Sequence, residues 1–231
     1  MAFNYSPKPV IDSSLVLYLD AANPKSYVSG STVWTDVSRG GNNGTLTNGP
    51  AYNSSNGGTI QFDGIDDFVV MPSRVVDSTF TALSAECWVK PTNASTCLIM
   101  ENGTAYTTNG FLLAQETSTQ FSFEVFGSGY DSVIASTTYS INNWYHLVGV
   151  WTAGSIVNIY MNGVLSNGTR TSQGAQTTLL NGNTNLYVGI RPPNSIPFKG
   201  NISTAKIYNR ALSATEVLQN YNALKGRYGL K

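Results

Sequence analysis

The chain has 231 residues, enough for one large β-sandwich or two small domains, and 11 % of them are charged, well below the roughly 25 % of ordinary soluble domains. Thirteen basic and thirteen acidic side chains cancel, and no basic run exceeds two residues, which excludes the electrostatic footprint of a nucleic-acid binder. No apolar run approaches the ~20 residues that a membrane-spanning helix needs.

Residues 1–13 read as an extended arm, because Pro7 and Pro9 block both ladder donation and helix formation. The first residues lack a basic stretch followed by an apolar one, so no cleaved secretory signal is expected and synthesis is placed in a reducing cytoplasm. Residues 14–231 read as one domain. Leu15-Val16-Leu17-Tyr18-Leu19-Asp20 is a continuous apolar run, the signature of a strand covered on both faces. A turn-rich loop follows, holding Trp34 and the segment from Asp36 to Gly44. Ile60 to Phe62 and Phe68 to Met71 flank Asp63-Gly64 and predict a hairpin. Residues 84–91 and 97–101 predict a second strand pair about Pro91-Thr92-Asn93. Cys87 and Cys97 are expected as small buried free thiols rather than a disulfide.

Further short strands are predicted at 111–114, 120–126 and 131–136. In 144–152 the alternation puts Trp144, His146, Val148 and Val150 on one face and Tyr145, Leu147 and Trp151 on the other. Asn162-Gly163 is a strong hairpin dipeptide. Residues 186–190 and 202–208 supply late strands. One helix breaks the pattern: Ser213-Ala214-Thr215-Glu216 forms a capping box, followed by the stripe Val217, Leu218, Tyr221 and Leu224, with Gly226 placed to end it. The fold class is therefore all-β, one sandwich with one short C-terminal helix.

The motifs Phe62-Asp63-Gly64-Ile65-Asp66-Asp67-Phe68-Val69, Trp144-Tyr145-His146 to Tyr160-Met161-Asn162-Gly163, and Gly200-Asn201-Ile202 to Arg210-Ala211-Leu212-Ser213 resemble the laminin-G-like, concanavalin A-like lectin/glucanase superfamily. The resemblance runs from about Leu15 to Leu224 and implies a two-sheet antiparallel jelly-roll β-sandwich, with recognition on loops or a concave face. The segments from Leu17 to Tyr27 and from Asn42 to Pro50 resemble a narrower subset found in tail, fibre and capsid-surface proteins of bacterial viruses and in some environmental bacterial proteins. The resemblance implies a non-enzymatic virion-surface decoration or fibre protein that attaches to carbohydrate or a host surface. Its partners would be other capsid or tail subunits and cell-surface glycans, with no membrane insertion, in a homo-oligomer or larger assembly. An extracellular or cell-surface location is the alternative.

Retaining glucanases of this superfamily carry an acidic E-x-D-x-E or E-x-D-x-x-E stretch along one strand, and none occurs here. Glu116 and Glu124 would need partners from other strands to form the carboxyl pair of a glycoside hydrolase. A glucanase-like hydrolase and a bacterial carbohydrate-binding module are the alternative functions. His146 is the only histidine and sits mid-strand, where a packed core role is expected. No cofactor is certain. Calcium is the one metal for which the sequence offers hard oxygen ligands, at Asp36 to Asn43 and at Asp63, Asp66 and Asp67, although the spacing matches no EF-hand. Sugar sites pair a flat aromatic with amide or carboxylate groups. Trp34, Tyr106 and Tyr130 are the loop aromatics that qualify, with Asp131 beside them and Arg191 and Asn194 in a proline-stiffened loop. Trp88, Trp144 and Trp151 are expected in the core. The Asn-x-Ser/Thr sequences read as turn chemistry rather than glycosylation sites.

Overall fold

The computed structural model describes residues 7–103, 110–127, 129–172, 174–179, 184–190 and 196–231. In chain order the strands are β1 (Leu15–Asp20), β2 (Val33–Trp34), β3 (Gly44–Thr47), β4 (Ala51–Asn53), β5 (Thr59–Asp63), β6 (Phe68–Met71), β7 (Ala82–Pro91) and β8 (Cys97–Asn102). They continue with β9 (Gly110–Gln115), β10 (Phe121–Phe126), β11 (Tyr130–Ala135), β12 (Tyr145–Thr152), β13 (Asn158–Met161), β14 (Val164–Leu165), β15 (Asn167–Ser172), β16 (Leu186–Val188) and β17 (Lys199–Tyr208). One α-helix, α1 (Ala214–Leu224), closes the series. The first sheet runs β14-β13-β12-β7-β17-β5-β4, with β1 beside the second half of β17. The second runs β15-β11-β10-β9-β8-β16-β6-β3-β2. All pairings are antiparallel, and the facing apolar side chains make one large core between the sheets. This is the expected all-β sandwich with a C-terminal helix.

Two predicted hairpins prove to be arches. β5 belongs to the first sheet and β6 to the second, so Asp63-Gly64 carries the chain across the sandwich. The same holds for β7 and β8 around Pro91-Thr92-Asn93. Alternation within each strand fixes which side chains face the core, but it is equally satisfied by a pair in one sheet or by two facing strands. The Asn162-Gly163 hairpin does form, with φ of 53° and 80° and β13 paired to β14. In β12 the alternation is as read: Leu147 and Trp151 enter the main core, while Val148 and Val150 lie on the opposite face. Gly149 lets the Phe123 ring in from the facing sheet, since a Cβ there would lie 2.1 Å from that ring. Cys87 and Cys97 are free and buried.

α1 lies over the outer face of the first sheet. Its capping box is present as expected, with Ser213 Oγ accepting the Glu216 N–H and the Glu216 carboxylate accepting the Ser213 N–H. Val217 and Asn220 are its buried residues, whereas Leu218 is 44 % exposed and leaves the predicted stripe. The helix gives way at Lys225 to a 3₁₀ turn, Lys225–Tyr228, and the left-handed residue is Gly229 at φ 72°, not Gly226. Tyr221 and Tyr228 stack on Trp88 with centroids 5.7 Å and 4.2 Å away. Their aromatic demand carries the chain past Gly226.

Under the helix, Tyr18, Lys206, Glu86 and Val148 form one cross-strand row. Lys206 Nζ donates to Glu86 Oε1 at 2.6 Å and Asn220 Nδ2 donates to Glu86 Oε2 at 2.6 Å, all three residues being fully buried. His146 Nε2 lies 3.2 Å from Glu86 Oε1, within reach of charge attraction but misaligned for a hydrogen bond. Burial pushes the Glu86 carboxyl up, but Lys206 and His146 outweigh it and hold the group at about 2. His146 is thus the packed strand residue expected.

The described part of the N-terminal segment is docked. Val10 N–H donates to Asn220 Oδ1, Gln219 Nε2 donates to the Lys8 carbonyl, and Arg210 bridges Asp12 and Glu216 at 2.7 and 2.6 Å. Arg227 makes a second lock, donating to the carbonyls of Asn56 and Gly58 and pairing with Asp20 at 2.8 Å.

Replacing Gly149 with Ala destabilises the sandwich by roughly 3 kcal/mol through overpacking against Phe123. Combining it with Phe123→Ala costs less than the sum of the two single changes, measured by urea denaturation of all four proteins.

Candidate functional site

Of the sequence-predicted contact residues, Trp34, Tyr130 and Asp131 are described, and they lie in separate surroundings. Trp34 is wholly buried in the main core as part of β2, so it offers no face to a ligand. The turn-rich surroundings suggested a loop, but its ring is what anchors that edge of the sheet. Tyr130 opens β11 half-buried against Phe126, centroids 6.4 Å apart, in a small apolar cluster with Leu98, Leu112 and Ala114. Asp131 is fully buried and accepts the Val157 N–H on Oδ2 at 2.8 Å, which holds the approach to β13. Tyr106, Arg191 and Asn194 lie outside the described residues.

The two oxygen-rich segments differ. Asp36 is buried, and its two carboxylate oxygens accept from the N–H groups of Tyr18, Ser38 and Asn42 and from Ser38 Oγ. Its oxygens are consumed in shaping the loop, and Arg74 takes Asn42 Oδ1 and the Gly41 carbonyl. Asp63, Asp66 and Asp67 do bring ligand atoms within 4.8 Å of one another. Asp67 accepts the Asp63 N–H at 2.9 Å and shapes the arch between the sheets. Burial, followed by Asp63 and Asp66, raises the Asp67 carboxyl. These are the described residues that can hold a hard cation.

A different feature has the form of a binding site. Where β4 ends the first sheet and β2–β3 end the second, residues of the 27–32 and 46–52 segments enclose an open groove of about 470 Å³. Its walls are Tyr27, Ser29, Gly30, Ser31, Thr32, Leu46, Asn48, Gly49, Pro50, Ala51 and Tyr52, with no charged side chain among them. Tyr27 and Tyr52 stack at 5.4 Å and 23°. The Tyr27 hydroxyl donates to the Ser31 carbonyl at 2.8 Å, which fixes the loop behind it. Tyr52 is half-buried, and Asn48 stands at the left-handed φ of 67° with Nδ2 given to the Asp66 carbonyl. Asn48 itself is exposed. Sequence reading missed this groove because its two tyrosines come from different segments and meet only once both sheet edges are in place. The Asn48-Gly49-Pro50 turn, which aims the second wall, was the one local signal.

On the outer face of the second sheet, Glu124 lies in register with Leu112 of β9 and Ser132 of β11. Burial, with Glu116 nearby, pushes its carboxyl up to about 7.

Residues 62–218 match the family model described as the concanavalin A-like lectin/glucanases superfamily, Laminin_G_3. The chain belongs to this family. Among solved structures it is similar to the binding domain of Paraclostridial Mosquitocidal Protein 1, with TM-score 0.72, 14 % identity, and coverage of 94 % of this chain and 55 % of that one. Domain 4 of AbnA, an extracellular GH43 arabinanase from Geobacillus stearothermophilus solved with arabinotriose, gives TM-score 0.67 and 19 % identity, covering 90 % of this laminin-G-like chain and 98 % of that domain. The ligand-binding domain of botulinum neurotoxin serotype D, solved with N-acetylneuraminic acid, gives 0.67 and 14 %, covering 90 % of this chain and 50 % of that one. The chain spans about half the length of the two toxin domains, and at these identities the likeness shows the fold alone. No curated protein matches the sequence. The virion setting stays an expectation of the sequence alone.

A carboxyl raised by burial binds its proton more tightly folded than unfolded, so its penalty is absent at low pH and grows as pH rises from the unfolded value near 4.3 through 7. Glu124→Gln is therefore expected to raise Tm by roughly 5 °C at pH 8 and to leave it unchanged at pH 4, read by thermal melts at both pH values.

Proposed function

We propose that this laminin-G-like domain is a non-catalytic carbohydrate-binding module whose site is the groove between the two sheet edges, and that it takes a neutral saccharide. The observation that carries the reading is the Tyr27–Tyr52 pair set in a wall without charge. A sugar ring has an apolar face, which an aromatic ring covers, and a rim of hydroxyls, which short uncharged groups satisfy. Asn48, Ser29 and Thr32, which line the groove, are short uncharged residues of that kind. A sialylated ligand carries a carboxylate, and among the described residues no cation lines the groove to receive it. Of the two ligands named for similar folds, the neutral arabinotriose is the better chemical match to this lining.

The test is titration of the intact protein with neutral arabino-, xylo- and gluco-oligosaccharides and with sialyllactose. Binding of a neutral series, weakened at least ~10-fold by Tyr52→Ala with the melting transition retained, is the expected result. Equal binding by Tyr52→Ala, or selective binding of sialyllactose, would overturn it.

A further inference from the structure

Beneath α1 three side chains meet that carbohydrate binding does not use. Lys206, Glu86 and Asn220 are each fully excluded from solvent. Glu86 receives the Lys206 amine on Oε1 and the Asn220 carboxamide nitrogen on Oε2, each at 2.6 Å. The Asn220 carbonyl oxygen accepts the Val10 N–H at 2.7 Å, a donor set where negative charge would collect if a nucleophile added to Cγ. The Tyr208 hydroxyl lies 3.1 Å from Asn220 Nδ2, and the Tyr18 ring lies 5.0 Å from Lys206 Nζ, so the surroundings are aromatic and closed to water. A lysine held against a carboxylate requires nothing further. Here the second oxygen of that carboxylate also holds a primary carboxamide, whose carbonyl is polarised and whose nitrogen can leave.

We propose that Lys206 and Asn220 become joined by an intramolecular isopeptide bond, with Glu86 relaying the protons. A proton passes from the Lys206 ammonium to Glu86 Oε1, leaving a neutral amine. Rotation about the terminal bonds of Lys206 carries Nζ from its carboxylate oxygen to Asn220 Cγ. The Nζ–Cγ bond forms while the Val10 N–H supports the oxyanion. Glu86 delivers its proton to Nδ2, the Cγ–Nδ2 bond breaks, and ammonia departs. The proton that Nζ sheds on acylation returns to Glu86, from which ammonia takes it as ammonium. No oxidant or cofactor enters the balance. Because Lys206 and His146 hold Glu86 ionised in the resting pair, the first proton shift is the uphill step. The reaction is accordingly a slow single event in the folded protein, and burial excludes the competing attack of water.

Intact-mass measurement of the denatured full chain, freshly purified and after prolonged incubation folded, decides the matter. The expected mass is lower than the sequence mass by one ammonia, and a digest yields a branched peptide joining Lys206 to Asn220. That peptide separates the bond from ammonia loss at Asn-Gly sequences such as Asn162-Gly163. Glu86→Gln removes the relay, Lys206→Arg removes the nucleophile while keeping the charge, and both restore the full mass. A folded wild-type chain that keeps its full mass throughout incubation would overturn the proposal. So would a mass deficit in the wild type whose digest holds no branched peptide joining Lys206 to Asn220.

Discussion

The buried Glu86 carboxylate is the constraint around which the rest of the first sheet is arranged. Stripping water from a carboxylate costs several kcal/mol unless its charge and its lone pairs are met. Two strands and the helix supply what is needed: Lys206 from β17, His146 from β12, and Asn220 from α1. Removing any one member strands the others, a loss of about 3–5 kcal/mol for a buried pair. The half-exposed Arg210 fork at the helix start contributes about 1 kcal/mol or less by comparison. The helix is therefore positioned by Asn220 and by its packing on Trp88 more than by its surface ion pairs.

Sequence alone disclosed the parts that depend on local periodicity or local hydrogen bonding. The two faces of β12 follow from alternation, and the Ser213–Glu216 capping box from residues three apart. What it misplaced depends on contacts made after assembly. Asp63-Gly64 and Pro91-Thr92-Asn93 look like hairpin turns, yet they cross between sheets, because the identity of a strand's neighbour is not written in its own alternation. Trp34 sits among turn residues and is nonetheless the pillar of its edge. The helix has a buried asparagine that no apolar stripe reveals, since its value arises only opposite Glu86. The groove was illegible for the same reason: Tyr27 and Tyr52 become neighbours through two sheets, not through one segment.

The second sheet presents a contrast. Its outer face carries Glu124 in a half-apolar setting beside the Leu98–Leu112–Phe126 cluster, whereas the groove at the sandwich edge has no titratable wall other than its tyrosines. Recognition at such a rim relies on shape and short polar groups, with little help from long-range fields. A chain with zero formal net charge has little electrostatic steering to offer in any case. Selectivity at the groove then comes from geometry, and the rigidity of its walls matters more than their charge.

That rigidity has a source at the far end of the polypeptide. Arg227 grips the carbonyls of Asn56 and Gly58, and Asn56 Nδ2 returns a bond to the Arg227 carbonyl. The Ser55–Gly57 turn clamped in this way is the direct continuation of β4, the strand that carries Tyr52. Proteolytic trimming behind Leu224 would therefore slacken the groove's outer wall without removing a single residue from its lining. The last turn of the chain acts as a remote brace for whatever the groove holds.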